Sequence, residues 1–369
     1  MALLKNYLGL IASSLIFSCG VLAFDNSRND NVAVYWGQNS YGATHPSDTA
    51  NFQKTLSTYC QDDSIDAIPA AFLNVFFGTG GLPEINMANT CNNVDNDVFP
   101  GTGLANCQFL ADDIRTCQAA GKIITLSLGG ATGSATLTSD AQAEAFADTI
   151  WDLFLGGSSD TRPFGDAILD GVDLDIEGGG SGSFPAFVRR IRDHAAGAGK
   201  QYFVAAAPQC PFPDANLGSV LNAVGFDAVY VQFYNNFCGI ATEQNQKSTD
   251  SFHRDNWAKT QSPNPDVKIY LGAPASSTAA GSGFVDIDTL SNIATTTRSQ
   301  FDSFGGVMLW DASQAFANNR YDRAIKNALT SGRASPASSP HSQKAESIKG
   351  GKGRKEKPSA RVSSRFFRF

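Results

Sequence analysis

Histidine, metal-type cysteine spacing and long apolar runs are what this sequence has least of. Four histidines stand scattered along 369 residues, and no two cysteines form a C-x-x-C pair, so the spacings that build tetrahedral metal centres are missing. No G-x-S-x-G elbow occurs and no histidine is placed to serve a nucleophile, which argues against a serine or cysteine hydrolase. No Gly-rich phosphate turn follows the first strand-like run; Trp36-Gly37-Gln38-Asn39 stands there instead, unlike a dinucleotide-binding sheet. No N-x-Ser/Thr glycosylation acceptor is present. The apolar stretch at 8–17 is too short to span a bilayer.

That stretch has another reading. Lys5 precedes it and Val21-Leu22-Ala23 follows, with small residues where signal peptidase requires them. Residues 1–23 therefore read as a secretory signal peptide, and the product as secreted, extracellular or cell-wall associated. A lipoprotein cut before Cys19 is the alternative, against which bulky Phe17 counts. Of seven cysteines, Cys19 leaves with the leader. The six that remain are Cys60, Cys91, Cys107, Cys117, Cys210 and Cys238, an even number that in an exported chain suggests three disulfides; buried free thiols are the other possibility.

The C-terminal end is a different material. Residues 331–369 are rich in Ser, Gly, Lys and Arg, with ten basic residues against Glu346 and Glu356. The tail thus carries about +8 of a total of −7, leaving −15 on residues 1–330. Such a composition cannot bury enough apolar surface to offset ordering entropy, so a disordered extension is expected. An acidic body would repel phosphate, so nucleic acid is not an expected partner.

Between the ends, short apolar runs alternate with amphipathic stretches. Runs at 32–36, 67–75, 123–128, 167–176, 202–207, 228–233, 267–272 and 307–310 read as strands. Helical spacing fills 108–119, 141–154, 185–195 and 287–304. Repeated strand–helix units imply parallel pairing with right-handed crossovers. Eight units in roughly 300 residues fit an α/β fold of the (β/α)8 TIM-barrel type, with 24–330 as one catalytic domain. An open doubly wound sheet is the rival. In a barrel, chemistry sits where strands end. Those ends are rich in aromatic and amide side chains and nearly free of Lys, Arg and His, a rim suited to a neutral polyhydroxylated ligand.

The fourth run carries the densest signal, Asp170-Gly171-Val172-Asp173-Leu174-Asp175-Ile176-Glu177. Side chains alternate along a strand, so Asp173, Asp175 and Glu177 share one face, with Cα spacings of ~6.6 Å, and Val172, Leu174 and Ile176 share the other. Converging acids in a partly dry site cannot all ionise, so a proton is retained near neutral pH, as a general acid requires. A solvated edge strand would not carry three branched apolar residues on its other face, and a calcium site usually draws its ligands from a loop.

This segment resembles the Asp-Gly-x-Asp-x-Asp-x-Glu signature of glycoside hydrolase family 18 chitinases. The resemblance extends over residues 31–330, through Tyr35-Trp36-Gly37-Gln38-Asn39, Ala71-Phe72-Leu73-Asn74, Ser127-Leu128-Gly129-Gly130, Ala206-Ala207-Pro208-Gln209-Cys210, Gln232-Phe233-Tyr234-Asn235-Asn236 and Gly306-Val307-Met308-Leu309-Trp310. In that order they look like the class III, plant-type branch that also occurs in fungi. The resemblance implies Glu177 as acid and then base, Asp175 as the group that orients the substrate acetamide, and Asp173 as its proton-sharing neighbour. It makes Tyr234 a hydrogen-bond donor to the acetamide and Trp310 the floor under the cleaved sugar, with Tyr35, Phe72, Gly130 and Gln232 lining the groove. It further implies hydrolysis of chitin and N-acetylglucosamine oligomers with retained configuration, the substrate's own acetamide acting as nucleophile, in a monomer without metal or cofactor. Pairs Cys60–Cys117 and Cys91–Cys107, and cis peptides at Ala71–Phe72 and Trp310–Asp311, follow from the same resemblance; Cys210–Cys238 is the expected third pair, pinning the loops after the fifth and sixth strands. An endo-β-N-acetylglucosaminidase or a non-catalytic lectin or inhibitor on this fold are the alternatives.

Overall fold

A computed structural model describes residues 23–242 and 254–331. The leader and the basic tail, apart from Ala23 and Ser331, lie outside the described residues. The apolar runs become parallel strands β1 (Asn31–Val34), β2 (Ala67–Val75), β4 (Ile123–Gly129), β5 (Gly171–Asp175), β6 (Phe203–Ala206), β7 (Ala228–Gln232), β8 (Lys268–Pro274) and β9 (Phe304–Trp310), with a two-residue strand, β3 (Glu84–Ile85), added antiparallel to β2. β1 pairs with both β2 and β9, so the eight parallel strands close into a (β/α)8 barrel. Among the described residues no helix is long and apolar enough to cross a membrane.

Strand alternation sorts the apolar residues into two layers. Val32, Val34, Val172, Leu174, Val229 and Val231 point outward into the large cluster shared with the helices. Ala33, Tyr35, Ala205, Ala207, Ala228, Tyr230 and Met308 fill the lumen. Small alanines leave room there for the tyrosines, and Tyr230 meets Tyr270 edge-on at 4.9 Å. The lumen is therefore a packed floor beneath the site, not a channel.

Two element boundaries depart most from the sequence expectation. The run at 167–176 yields a strand only over Gly171–Asp175, because the Ala167 and Leu169 N–H groups turn back to the carbonyls of Phe164 and Phe154. The helix expected at 287–304 is Ile287–Gln300. Phe301 is extended (φ −128°) and Phe304 already pairs with Ile269 in the sheet; the helical spacing of the two phenylalanines is coincidental.

The three disulfides join Cys60 to Cys117, Cys91 to Cys107 and Cys210 to Cys238. The second closes the excursion between β3 and helix Ala111–Ala119, and the third ties the loops after β6 and β7. Cis peptides stand at Ala71–Phe72 and Trp310–Asp311, with a third, at Phe212–Pro213, that the sequence reading did not anticipate.

Candidate active site

Asp173 sits lowest. The parallel register places Ser127 of β4 beside Asp173 of β5, and both the Ser127 hydroxyl and the Tyr35 phenol donate to its Oδ2 at 2.7 Å. The Asp173 side chain is inaccessible to solvent, and its Oδ1 has no hydrogen-bond partner. Burial lifts its pKa to about 6 against the pull of those two donors.

Asp175, one pleat higher, is also buried. Its Oδ1 accepts from the Gln232 amide at 2.9 Å, and the same nitrogen donates to the Ala207 carbonyl at 3.0 Å. Gln232 belongs to β7, two strands away around the barrel, so it reaches Asp175 over the end of the intervening β6. Burial, followed by the charges of Glu177 and Asp173, pushes the Asp175 carboxyl well above its ordinary range. Glu177 lies two residues beyond the end of β5 and is half-buried. Burial raises its carboxyl too, opposed by hydrogen bonds to Gln232 and Asp175. The series thus runs from a sealed carboxyl to a solvent-reachable one, with raised proton affinity at every step.

Above these acids opens a cavity of about 300 Å³. Asp175, Glu177, Gln232, Tyr234, Phe72 and Trp310 all line it. Trp310 stands on β9, across the barrel from β5, with its ring near-parallel to that of Phe72 at 5.9 Å. Its position is held from behind. The next residue, Asp311, caps helix Ala312–Ala317 and accepts from the Ser313 hydroxyl at 2.7 Å and the Ser40 N–H at 3.0 Å. Tyr234 is buried beside the acids, and burial together with the Asp175 and Glu177 charges holds its phenol protonated.

Two residues expected in the groove lie behind its wall. Tyr35 is 1% exposed and serves Asp173 from below. Gly130 donates its N–H to the Asp175 carbonyl at 2.7 Å, and at φ +81° a Cβ there would come within 2.8 Å of the Phe72 ring; its bareness seats that ring. The structure adds wall residues not singled out as site residues: Gln38, Asn74, Asn86, Thr132, Asn235 and Ala279. Gln38, Asn74 and Asn235 stand at strand ends, a signal that was available. Asn86 follows the added strand β3 and Ala279 a loop after β8, and no local pattern marks either.

The arrangement sets a half-buried carboxyl of raised proton affinity, a buried carboxyl partner, a phenol and an aromatic wall around one cavity. The chain is 48% identical over 330 residues to "Chitinase 2" of Rhizopus oligosporus, covering 89% of this chain and 58% of that protein's length. A solved chitinase from Ipomoea carnea superposes with a TM-score of 0.67 at 33% identity, covering 81% of this chain and 99% of that one. A xylanase and alpha-amylase inhibitor protein from Scadoxus multiflorus gives 0.65 at 29%, covering 81% and 97%. Residues 31–283 match the family described as "Glycosyl hydrolases family 18". The chain belongs to glycosyl hydrolase family 18.

Proposed function

We propose that this protein is a secreted, monomeric chitinase that hydrolyses β-1,4 linkages between N-acetylglucosamine residues with retention of configuration. The observation that carries the reading is the convergence of Glu177, Asp175 and Tyr234 on one cavity walled by Trp310. The sugar to be cleaved lies over Trp310 with its acetamide between Asp175 and Tyr234. Glu177 gives its proton to the glycosidic oxygen and the C–O bond breaks. The acetamide oxygen closes onto the anomeric carbon, forming a cyclic oxazolinium ion whose positive charge faces Asp175. Water then opens the ring at the anomeric carbon, returning its proton to Glu177. Asp173 shares a proton with Asp175 as the charges shift. Retention by two protein carboxylates would need a second acid ~5–5.5 Å from the first to attack carbon; here the substrate supplies the nucleophile.

A non-catalytic reading has one observation in its favour, the likeness to an inhibitor protein. Against it, the full acid series and Tyr234 are in place. Secretion rests on the leader at 1–23.

The test is digestion of partly acetylated chitosan with sequencing of the new reducing ends. Every such end should be N-acetylglucosamine, because an amine cannot close the ring and would leave the polar groups of Asp175 and Tyr234 unpaired. Frequent glucosamine at those ends refutes the substrate-assisted route, and no cleavage at all favours the non-catalytic reading.

A further inference from the structure

Behind the Trp310 wall lies a dry polar hub that touches no substrate. Asp311, Ser313 and Gln314, at the start of helix Ala312–Ala317, are each no more than 1% exposed. Asp311 Oδ1 accepts from the Ser313 hydroxyl at 2.7 Å and from the Gln314 N–H at 3.1 Å, which caps the helix. Its Oδ2 accepts from the Ser40 N–H at 3.0 Å, 271 residues away in sequence. The Ser313 oxygen accepts in turn from the Tyr41 N–H at 3.0 Å. Gln314 Oε1 takes the hydroxyls of Ser276 and Thr278, the latter at 3.0 Å.

Each segment held by the hub reaches the cavity wall. Ser40 follows Gln38 by two residues and Thr278 immediately precedes Ala279; Gln38, Ala279 and Trp310 all line the cavity. The backbone adds to the tie: the Trp310 carbonyl accepts from the Ala275 N–H at 2.8 Å, and the Tyr35 carbonyl from the Ala312 N–H at 2.9 Å. Capping alone does not account for Asp311. Asn and Ser cap a helix as well as Asp does, and a sealed carboxylate without a cation carries a desolvation cost that a neutral residue avoids. Among the described residues the Asp311 carboxylate is held by N–H and O–H donors and by no lysine or arginine. What a carboxylate supplies beyond Asn or Ser is a second acceptor oxygen. That oxygen takes the loop after β1.

We infer that Asp311 is a positioning residue for the reaction: its two oxygens lock the Trp310 wall to the loop carrying Gln38, so that the cavity keeps one shape around the reacting sugar. This rests on the glycosidase reading above. The experiment compares wild type, Asp311→Asn, Asp311→Ala and Asp286→Ala on the N-acetylglucosamine hexamer, well below every melting temperature, with a thiazoline analogue of the cyclic intermediate as inhibitor. Asp286 is an exposed cap of helix Ile287–Gln300, accepting from the Thr289 N–H at 2.8 Å and absent from the cavity wall; its loss reports what losing a cap does by itself. Asp311→Asn keeps one acceptor oxygen for the helix and sets an amide N–H2 against the Ser40 N–H. Its kcat should fall about 10-fold with KM little changed, and thiazoline inhibition should weaken by about the same factor. Its melting temperature should stay within about 3 °C of wild type. Asp311→Ala should match it in inhibition and melt lower, whereas Asp286→Ala should melt lower with wild-type kinetics and inhibition. An Asp311→Asn protein with wild-type kcat and inhibition shows that Asp311 only caps its helix, and overturns the positioning role while the glycosidase reading stands. A loss confined to KM, with inhibition unchanged, overturns it likewise. A wild-type protein inert to both hexamer and thiazoline overturns the glycosidase reading and the positioning role with it.

Discussion

Replacing Asp173 with Asn should make the protein more stable at neutral pH relative to acid pH, while impairing catalysis. Asp173 has no solvent contact, and burial holds its pKa at about 6 instead of 3.8. Keeping it ionised in the fold therefore costs on the order of 3 kcal/mol, at ~1.4 kcal/mol for each pH step. The sign follows from proton binding. Between pH 3.8 and 6 the native state retains a proton that the unfolded chain has released, so stability falls as pH rises through that window; the penalty is complete above the folded pKa. An Asn carbonyl can still accept from Tyr35 and Ser127. Its amide takes the place of the unpartnered Oδ1 and adds a roughly pH-independent cost of ~1–3 kcal/mol if left unpaired. The discriminating quantity is thus the change in the difference between variant and wild type. Urea unfolding at pH 4, 5, 6, 7 and 8 should show Asp173→Asn gaining about 2–2.5 kcal/mol on wild type across the series, the part of the linkage that lies above pH 4. The Asp173 charge also helps to raise Asp175, so removing it adds in the same direction. A difference that stays flat within 1 kcal/mol across the series (a margin below ~1 pH step of linkage) would refute the reasoning.

Glu177→Gln removes the transferable proton and keeps the shape, so turnover on unactivated oligomers should fall ~10²–10⁴-fold while oligomer affinity, read by calorimetry, survives. Because burial raises the Glu177 carboxyl, oligomer cleavage should persist above the ordinary carboxylate range and disappear as pH climbs through the raised pKa; a wild-type activity profile already failing below pH 4.5 would contradict this. Gly130→Ala places a methyl 2.8 Å from the Phe72 ring at φ +81°, at a backbone cost of ~1–2 kcal/mol. Hexamer kcat/KM should drop at least ~10-fold as the ring shifts, and an unchanged value would show that Phe72 does not shape the groove. Removing the Cys60–Cys117 or Cys91–Cys107 pair as double alanines should cost ~2–4 kcal/mol in urea unfolding, more for the first, whose partners are 57 residues apart against 16.

Much of the site was legible because its signals are local. The alternation from Val172 to Glu177 assigns the carboxylates to one face and the branched residues to the other whatever surrounds them. The eight apolar runs in order, with segments between them long enough for crossover helices, leave few arrangements besides a closed barrel. What the sequence could not decide is set by closure and register, which bring together residues far apart in the chain. Glu177 belongs to the same alternating pattern, yet it leaves the strand after Asp175 and stands half in solvent, where the proposed reaction needs its acid. Gln232 touches Asp175 only because β6 pairs with both β5 and β7, so that the two inward side chains meet over the intervening strand. Tyr35 reads like a groove residue at a strand end, but its inward direction and the depth of Asp173 turn it into a hydrogen-bond donor beneath the site. Asn86 and Ala279 enter the wall through loop paths that no periodicity encodes. A strand's own residues determine which way its side chains point; which partner waits there depends on the strand pairing two or three neighbours away.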